Sequence, residues 1–309
     1  MTARRRILVT GRDGQVVRAL LERGRLSADL QIVALGRPQL DLAEPGRIAA
    51  ALAAERPDLI VSAAAYTAVD QAETEEPLAM LINATAAGAI ADSARTLGVP
   101  LIHLSTDYVF DGSKAGPYVE TDPVAPLGAY GRSKYAGEQA VTAATPDHVI
   151  LRTAWVYSPF GRNFLKTMLQ LATGRDHLRV VDDQIGNPTA ALEIAEGILA
   201  VARNLLASRD PLLRGTFHMT AAGSASWADF AIEIFACSKT NGGPFAMVER
   251  IPSSAYPTPA RRPKNSQLDC TRLVQVHGVA LPDWRQSMAA IVIRLLEADQ
   301  TTQDTGVCA

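Results

Sequence analysis

Short apolar runs alternate with longer amphipathic stretches over the first half of the chain, and the two patterns differ in period. The apolar runs are partly β-branched and predict buried strands at 7–9, 32–35, 59–61, 101–104 and 149–151. The stretches between them predict helices at about 14–23, 45–56, 77–97 and 130–144. Because strand and helix take turns along the chain, we expect an α/β fold with a parallel sheet and helices on both of its faces.

This alternation loosens after about residue 155. The patterns there predict helices at 163–173, 190–207, 226–237 and 283–299, and strands at 178–181, 216–219 and 248–251. The segment 252–266 contains four prolines, so we expect an ordered loop or a substrate-covering segment. We therefore expect a first domain over 1–157, to which the chain can return around 185–215, a mainly separate region over 158–298, and a disordered polar tail over 299–309.

The composition excludes several classes of function. The 309 residues carry 30 basic and 32 acidic side chains, and the net charge of -2 provides no global field for binding a nucleic acid or an anionic membrane. No run approaches the roughly 18 apolar residues that a membrane span requires. The cysteines Cys237, Cys270 and Cys308 are odd in number and far apart, which is typical of a reducing compartment. We expect a cytoplasmic protein with no nucleic-acid or membrane partner.

A glycine-containing turn follows the first predicted strand. Gly11 permits the tight turn, and Gly14 lets the backbone approach a pyrophosphate at the N-terminus of the next helix. Val17 stands where a third glycine usually allows close helix–strand packing. An ordinary βα turn is the alternative, but the position after the first strand of an alternating sheet favours a dinucleotide site.

The end of the second predicted strand bears on which dinucleotide would bind. Sites that prefer NAD place an acidic residue there to bind the ribose 2′-hydroxyl, whereas this chain has Gly36 and Arg37. An arginine can bind a 2′-phosphate through two hydrogen bonds, so Arg37 favours NADPH over NADH. A solvated surface arginine is the alternative interpretation.

Tyr130 and Lys134 form the candidate catalytic pair. They are four residues apart on a predicted helix and so share one of its faces. The fourth strand ends at Ser105 and Thr106, at the sheet edge where open α/β sheets bind ligands. An ammonium beside a phenol favours phenolate, so we expect the pKa of Tyr130 to fall below its usual value of about 10. The spacing alone arises often by chance, and it gains weight from the glycine turn and the strand end.

Longer segments carry a resemblance to a known family. They are AAAYTAVD at 63–70, STDYVFDG at 105–112, YGRSK at 130–134, RTAWVY at 152–157, DQIGNPT at 183–189 and YPTPARRP at 256–263. With these segments the chain resembles the extended short-chain dehydrogenase/reductases, and among them the dTDP-4-dehydrorhamnose reductases, over about residues 7–297. The resemblance implies a Rossmann-type doubly wound parallel sheet with a smaller C-terminal α/β substrate-binding domain. The region 1–157 would then bind NAD(P), and the region 158–298 would mainly bind substrate.

The resemblance also implies a reaction, in which NADPH or NADH transfers hydride to C4 of dTDP-4-dehydro-L-rhamnose and dTDP-L-rhamnose forms. By the same resemblance Tyr130 protonates the emerging alkoxide, and Thr106 hydrogen-bonds the sugar oxygen at C4. Lys134 lowers the pKa of the tyrosine and holds the nicotinamide ribose. A donor aimed where negative charge develops is what the reduction of a ketone requires.

The expected binding residues form two groups. The cofactor group comprises Gly11, Gly14, Gln15, Val16, Arg37, Asp41, Leu42, Ala63, Ala64, Ala65, Tyr66, Thr67, Tyr130 and Lys134. The substrate group comprises Thr106, Asp107, Tyr108, Trp155, Asn163, Gln184 and Arg262. Trp155 is expected to form a wall against the sugar, although a lone tryptophan is by default a core residue. Arg262 could clamp the diphosphate or be a solvated loop arginine.

Two positions bear on metals and assembly. Some members of the family form a dimer around magnesium held by glutamates, and the matching positions here are Ala19 and Leu192. We therefore expect no metal, and a monomer or weak homodimer.

Three other functions are alternatives for this sequence. A nucleotide-sugar dehydratase usually follows its threonine with Asp-Glu, and this chain has Asp107 and Tyr108 instead. A different nucleotide-sugar ketoreductase or epimerase of the same superfamily is the nearer alternative. A non-catalytic NADP-binding regulatory subunit is the third, and the retained Thr106, Tyr130 and Lys134 argue against it.

Overall fold

The computed structural model describes residues 4–306, and side chains over residues 4–298. Its strands are β1 Arg5–Thr10, β2 Leu30–Leu35, β3 Leu59–Ser62, β4 Leu101–Thr106, β5 His148–Thr153, β6 Val156–Tyr157, β7 His177–Val181, β8 Ile185–Gly186, β9 Thr189–Ala190, β10 Gly215–His218, β11 Ala221–Ala222, β12 Ala225–Ser226, β13 Met247–Ile251 and β14 Leu281–Asp283. Its helices are α1 Gln15–Gly24, α2 Ile48–Ala54, α3 Val69–Ala72, α4 Glu76–Met80, α5 Ala86–Leu97, α6 Ala129–Ala144, α7 Phe164–Ala172, α8 Ala191–Ala207, α9 Trp227–Thr240, α10 Thr271–His277 and α11 Trp284–Gly306.

A six-stranded parallel sheet forms the larger part of the molecule, in the order β10-β5-β4-β3-β1-β2. Strand β1 pairs with β2 on one side and β3 on the other, so that Ile7 lies opposite both Ile32 and Leu59. The strand order reverses between β1 and β3, and ligands of such sheets bind beyond the carboxyl ends of the strands at that point. Strands β1, β3 and β4 therefore direct their ends toward one crevice.

Helices cover both faces of this sheet, which confirms the doubly wound architecture. On one face, α1 and α8 pack against the strands through side chains such as Leu20 and Ile198. On the other face, α2, α5 and α6 contribute Leu52, Ile90 and Val141 to a second apolar cluster. The central strands are buried on both sides, which explains why their sequences are nearly continuous apolar runs.

A smaller α/β unit has its own core. Helices α7, α9 and α11 bury Met168, Phe230 and Trp284 beside the parallel pair of β7 and β13. After β9 the chain returns to the large sheet, where α8 packs against α1 and β10 pairs with β5. None of the described helices is long and apolar enough to span a membrane.

The predicted helix over 77–97 is interrupted in the structure. A π-helical turn at Leu81–Thr85 separates α4 from α5, and it contains the buried Asn83. The Asn83 side chain accepts a hydrogen bond from the Tyr66 N–H (2.8 Å) and donates one to the Tyr66 carbonyl (3.0 Å). The wide turn thus places an amide that fixes the loop after β3, a contact that helical periodicity alone does not encode.

Other differences lie at the chain's short and terminal elements. The helices α3 and α10 and the two-residue strands β6, β8 and β11 fall outside the predicted elements. Helix α11 is described to Gly306 and so extends over part of the segment expected to be disordered. Residues 307–309 of that expected tail lie outside the described residues.

Candidate active site

A cavity of about 700 Å³ opens at the carboxyl edge of the large sheet, between it and the smaller unit. The expected site residues that line it are Gly11, Gly14, Gln15, Val16, Ala63, Ala64, Ala65, Thr67, Thr106, Asp107, Tyr108, Tyr130, Lys134, Trp155 and Asn163. The expected residues outside its lining are Arg37, Asp41, Leu42, Tyr66, Gln184 and Arg262. One cavity therefore brings the glycine turn, the tyrosine–lysine pair and the end of β4 together.

The glycine turn has the geometry of a phosphate cradle. Gly11 has φ 104°, and a Cβ there would lie 3.3 Å from Cγ2 of Val17, so a side chain would be strained and crowded. Gly14 is the N-cap of α1, and among the described residues no side chain caps it. The N–H groups of the first turn of α1 are thus left for an anion, and the turn fits a dinucleotide pyrophosphate.

Gln15 connects this turn to the chain beyond β5. Its Oε1 accepts hydrogen bonds from Ser158 Oγ (2.7 Å) and Asn163 Nδ2 (3.0 Å), while its Nε2 donates to the Val156 carbonyl (3.2 Å). Asn163 is also the N-cap of α7, where its side chain accepts the N–H of Lys166 (3.1 Å). The N-terminus of α1 and that of α7 are therefore held together at one end of the cavity.

The residues expected near the adenosine lie at the end of β2, beyond the main cavity. Arg37 is exposed, Asp41 accepts the N–H of Ala43 (2.9 Å), and Leu42 is buried in the apolar core beneath. Arg12, which sequence reasoning did not select, lies beside them and donates to the Arg37 carbonyl (3.3 Å). A basic residue between the two glycines was the available signal.

The loop after β3 runs along the cavity. Thr10 Oγ1, at the end of β1, accepts the N–H groups of Ala63 (3.0 Å) and Ala64 (3.1 Å) and so fixes the start of this loop. The Tyr66 hydroxyl turns away and donates to Glu75 (2.9 Å). Backbone and small side chains consequently form this wall of the cavity.

Tyr130 and Lys134 lie on one face of α6, beside the end of β4. The Lys134 ammonium donates to the Leu104 carbonyl (2.6 Å), and burial lowers the pKa of Lys134 to about 8. The Tyr130 hydroxyl is hydrogen-bonded to Thr106, and Thr106 Oγ1 donates to Asp107 Oδ1 (3.0 Å). Threonine, tyrosine and lysine thus converge in one corner of the cavity.

The prediction that the pKa of Tyr130 falls below its usual value is wrong. Burial raises that pKa to about 12, the hydrogen bond to Thr106 opposes the rise, and Asp107 adds to it. The reason is that the Lys134 ammonium is directed at the Leu104 carbonyl, and desolvation of the phenol dominates.

Asp107 and Tyr108 follow Thr106 into the cavity. Asp107 is buried, and burial raises its pKa to about 6 although Ser266 and Thr106 hydrogen-bond it. The Tyr108 ring meets the Tyr130 ring edge to face, with 5.9 Å between centroids. Burial also raises the pKa of Tyr108, so both phenols keep their protons near neutral pH.

Two tryptophans form the opposite wall. Trp155 has φ 46°, a strained conformation for a large side chain, and its ring lies flat against that of Trp227. A Cβ on Gly186 would lie 2.5 Å from the Trp155 ring, so glycine is needed to admit it. Trp227 begins α9 and was missed by sequence reasoning, because it is remote from every motif in the chain.

Gln184 and Arg262 have other partners in the structure. Gln184 Nε2 donates to Ser253 Oγ (2.8 Å) in the proline-rich segment. Arg262 Nη2 donates to Asp70 Oδ2 (2.8 Å), and its guanidinium also lies within hydrogen-bonding reach of the Tyr108 hydroxyl. Arg262 thereby ties the proline-rich segment to the large unit directly behind a cavity-lining tyrosine.

The positions expected to bear on metal binding lie in the apolar core. Ala19 on α1 and Leu192 on α8 are both buried where these helices pack on the large sheet. Within the described part of the chain, no three His, Cys, Asp or Glu side chains come together as metal ligands would. Independence from metal stays a prediction.

Comparisons with known proteins identify close relatives. The model of the family described as "RmlD substrate binding domain" matches residues 5–297. A curated protein of Sinorhizobium fredii, dTDP-4-dehydrorhamnose reductase, is 48% identical over 291 residues, which are 94% of this chain and 98% of that protein. The solved dTDP-4-dehydrorhamnose reductase of Bacillus anthracis, in complex with NADP, is 33% identical with a TM-score of 0.87, covering 94% of this chain and 100% of that one.

A further relative differs in its named reaction. A protein of Streptomyces antibioticus, named as a probable dTDP-4,6-dihydroxy-2-methyloxan-3-one 4-ketoreductase, is 40% identical over 295 residues, 95% of this chain and 97% of that protein. Both named reactions act on a 4-ketone of a dTDP-linked sugar.

Proposed function

This chain belongs to the family of dTDP-4-dehydrorhamnose reductases that the RmlD match defines, and from that premise we propose its reaction. It reduces the C4 ketone of dTDP-4-dehydro-L-rhamnose to dTDP-L-rhamnose with NADPH as the reductant. The observation that carries the proposal is the convergence of the glycine turn, Thr106, Tyr130 and Lys134 on one cavity.

The cavity fits a dinucleotide by its own geometry. Gly11, which adopts a positive φ, and the first turn of α1 would hold the pyrophosphate, and the loop starting at Ala63 would flank the adjoining nucleoside. Lys134 would hold the nicotinamide ribose at the inner end. NADPH, when bound, supplies the hydride for the ketone carbon, and the protein supplies orientation and a proton.

Tyr130 is the proton donor in this proposal. Because burial holds its pKa at about 12, the phenol is protonated at neutral pH, as an acid in a reduction must be. An alkoxide forming at C4 is more basic than a phenolate, so the proton moves to the sugar oxygen. Thr106 would hydrogen-bond the same oxygen once its hydroxyl, which donates to Asp107 Oδ1 in the structure, rotates toward the sugar, and the buried surroundings strengthen both contacts.

The two structural units have different roles in this proposal. The large sheet, mainly residues 1–157 with the return through α8 and β10, holds the cofactor, and the region 158–298 mainly holds the sugar nucleotide. Asn163 and Trp227 line the cavity on that second side, and Trp155 stacks on Trp227 from the end of β5. Asp107 and Tyr108 would contact the sugar, and Gln184 and Arg262 would act by positioning the proline-rich segment.

The cellular setting is a further part of the proposal. Cys237 and Cys270 are free thiols in the structure, in keeping with a reducing compartment such as the cytoplasm. The assembly we propose is a monomer or weak homodimer.

The test follows the near-ultraviolet absorbance of NADPH with enzymatically generated dTDP-4-dehydrorhamnose, against other dTDP-4-keto sugars and a UDP-linked analogue. We expect oxidation of NADPH, fastest with the rhamnose precursor. Tyr130→Phe should lower kcat by about 100-fold or more with nearly unchanged NADPH affinity, because only the proton donor is lost. Tyr135→Phe, on the same helix but outside the cavity lining, is the matched control.

Two outcomes would overturn the assignment. A preference for another 4-keto sugar would replace the substrate by that of a sibling ketoreductase. Tight NADPH binding without turnover of any such sugar would point to a non-catalytic regulatory subunit.

A further inference from the structure

A buried carboxylate lies one helical turn beyond Lys134 on α6. Glu138 is 4% exposed, and its Oε1 accepts hydrogen bonds from Ser105 Oγ (2.5 Å) and Arg152 Nε (2.9 Å). Its Oε2 accepts a hydrogen bond from Arg152 Nη2 (2.7 Å), which completes a two-pronged ion pair. The described cavity lining does not include Glu138, so its role is distinct from substrate contact.

Glu138 links the two elements that carry the candidate catalytic groups, α6 and β4, to the neighbouring strand β5. Lys134 and Glu138 occupy successive turns of α6 and bond to successive residues of β4, namely the Leu104 carbonyl and the Ser105 hydroxyl. The next residue of β4 is Thr106. Through Arg152, the same carboxylate reaches β5 just before it ends at the cavity.

Glu138 also affects Lys134 electrostatically. Burial lowers the pKa of Lys134 to about 8, and the negative charge of Glu138 opposes that fall. Across on β4, burial and the nearby Lys134 lower the pKa of His103 well below its usual value, so His103 faces the amine as a neutral ring. On α6 itself Tyr130, one turn before Lys134, is a neutral phenol, and Arg152 on β5 is the cation that balances Glu138.

We propose that Glu138 is a positioning residue for the reduction: it fixes Lys134 and Thr106 relative to each other and supplies the buried negative charge that keeps the Lys134 amine cationic. The inference rests on the proposed function for the role of Lys134, but the electrostatic part concerns the protein alone. A buried ion pair needs some such reason, since well-packed apolar side chains of similar volume often stabilise a fold as well or better.

The central experiment measures the protonation of Lys134 directly. The chain has five lysines, so ¹³Cε-lysine labelling gives few NMR signals, and the signal of Lys134 is the one lost in Lys134→Arg. Its titration is followed in the full-length protein, in Glu138→Gln and in Ser105→Ala. We expect Glu138→Gln to lower the pKa of Lys134 by about one pH unit or more, because it leaves the Arg152 cation without its counter-charge. Ser105→Ala removes a hydrogen bond but no charge and should leave that pKa nearly unchanged.

A double variant keeps the test decisive where Glu138→Gln folds poorly. Glu138→Gln/Arg152→Met removes both charges, and Met can retain the contact that Arg152 makes with the Phe110 ring. If the effect is electrostatic, the pKa of Lys134 in the double variant lies between those of Glu138→Gln and the unaltered protein. Equal values in the single and double variants, or an unchanged value in both, would overturn the charge argument.

A kinetic measurement relates the protonation of Lys134 to the reaction. We expect the high-pH limit of kcat in Glu138→Gln to move to lower pH in step with the Lys134 titration, and Ser105→Ala to lower kcat without that movement. An unmoved limit would overturn the proposed role in catalysis. Absence of sugar reduction in the unaltered protein would refute the proposed function, while the NMR titration would still decide the electrostatic role of Glu138.

Discussion

Trp155 and Trp227 stack face to face, with 3.5 Å between ring centroids and 3° between ring planes. Trp155 follows β5 of the large sheet, whereas Trp227 begins α9 of the smaller unit. The stack therefore joins the two units at one wall of the cavity. The Phe164 ring also packs against Trp227, with 4.7 Å between the ring centroids and a tilt of 48°. A wall built in this way holds Trp155, which lines the cavity, in its strained conformation.

We predict that Trp227→Ala raises KM for the sugar nucleotide by about 3- to 10-fold, the value of one aromatic pair, and leaves NADPH affinity unchanged. The reason is that Trp155 loses the surface that orients it, while the glycine turn is untouched. Steady-state kinetics and NADPH fluorescence titration measure the two effects. Trp227→Phe should keep most of the stacking and most of the affinity. A normal KM in the alanine variant would show that the stack serves folding alone.

We predict that Arg37→Ala weakens NADPH binding by about tenfold and NADH binding much less, because only NADPH carries the 2′-phosphate. The exposed Arg25, at the far end of α1, provides the matched control. Arg12→Ala tests the neighbouring cation in the same assay, since Arg12 packs over the end of β2. Dissociation constants of each variant for NADPH and NADH measure these effects. Equal losses for NADPH and NADH would remove Arg37 from a 2′-phosphate site.

Features that depend on near neighbours in the chain could be predicted from the sequence. The glycine turn, the strand ends and the shared face of Tyr130 and Lys134 follow from local patterns and helical spacing. The doubly wound sheet follows from the alternation of strand and helix, and the structure and its relatives confirm it. Each of these inferences needed only periods of two and 3.6 residues and the rule for sheet edges.

Features that depend on packing between distant segments could not be predicted in this way. Nothing near Trp227 or Asn83 in sequence marks the contacts they make, and the partners of Glu138 on β4 and β5 are likewise set by tertiary packing. The prediction of the direction of the Tyr130 pKa shift was wrong for the same reason. A spacing of four residues puts an ammonium on the same face as a phenol, but it does not say which acceptor the ammonium finds or how deeply the phenol is buried.

We predict that Asp107→Asn stabilises the fold at about pH 8 and has little effect at about pH 4. Burial raises the pKa of Asp107 from 3.8 to about 6, so the folded state binds the proton more tightly than the unfolded chain. The stability that the protonated carboxyl provides is complete below pH 3.8 and is lost as the pH rises through about 6. Thermal unfolding across this range measures the effect.

A carboxylate with the opposite shift serves as the control for that prediction. The hydrogen bond from Arg262 lowers the pKa of Asp70, so its contribution to stability is present above its usual pKa and is lost as the pH falls. Asp70→Asn should therefore destabilise at about pH 8 and have less effect in acid. Parallel pH profiles for the two variants would show that the pKa values of Asp107 and Asp70 do not shift in opposite directions on folding.

The last prediction concerns metal ions: EDTA should leave both the rate of NADPH oxidation and the molecular mass in solution unchanged. Ala19 and Leu192 cannot ligate a metal, and both are buried against the large sheet, where replacing them by glutamate would place a charge in an apolar core. The proton donor and its neighbours in the proposed mechanism are side chains of the protein itself. Kinetics with EDTA, with EDTA and excess magnesium, and with neither are compared beside light scattering of the same samples. Loss of rate or mass in EDTA that magnesium restores would show that this chain recruits the ion through other groups.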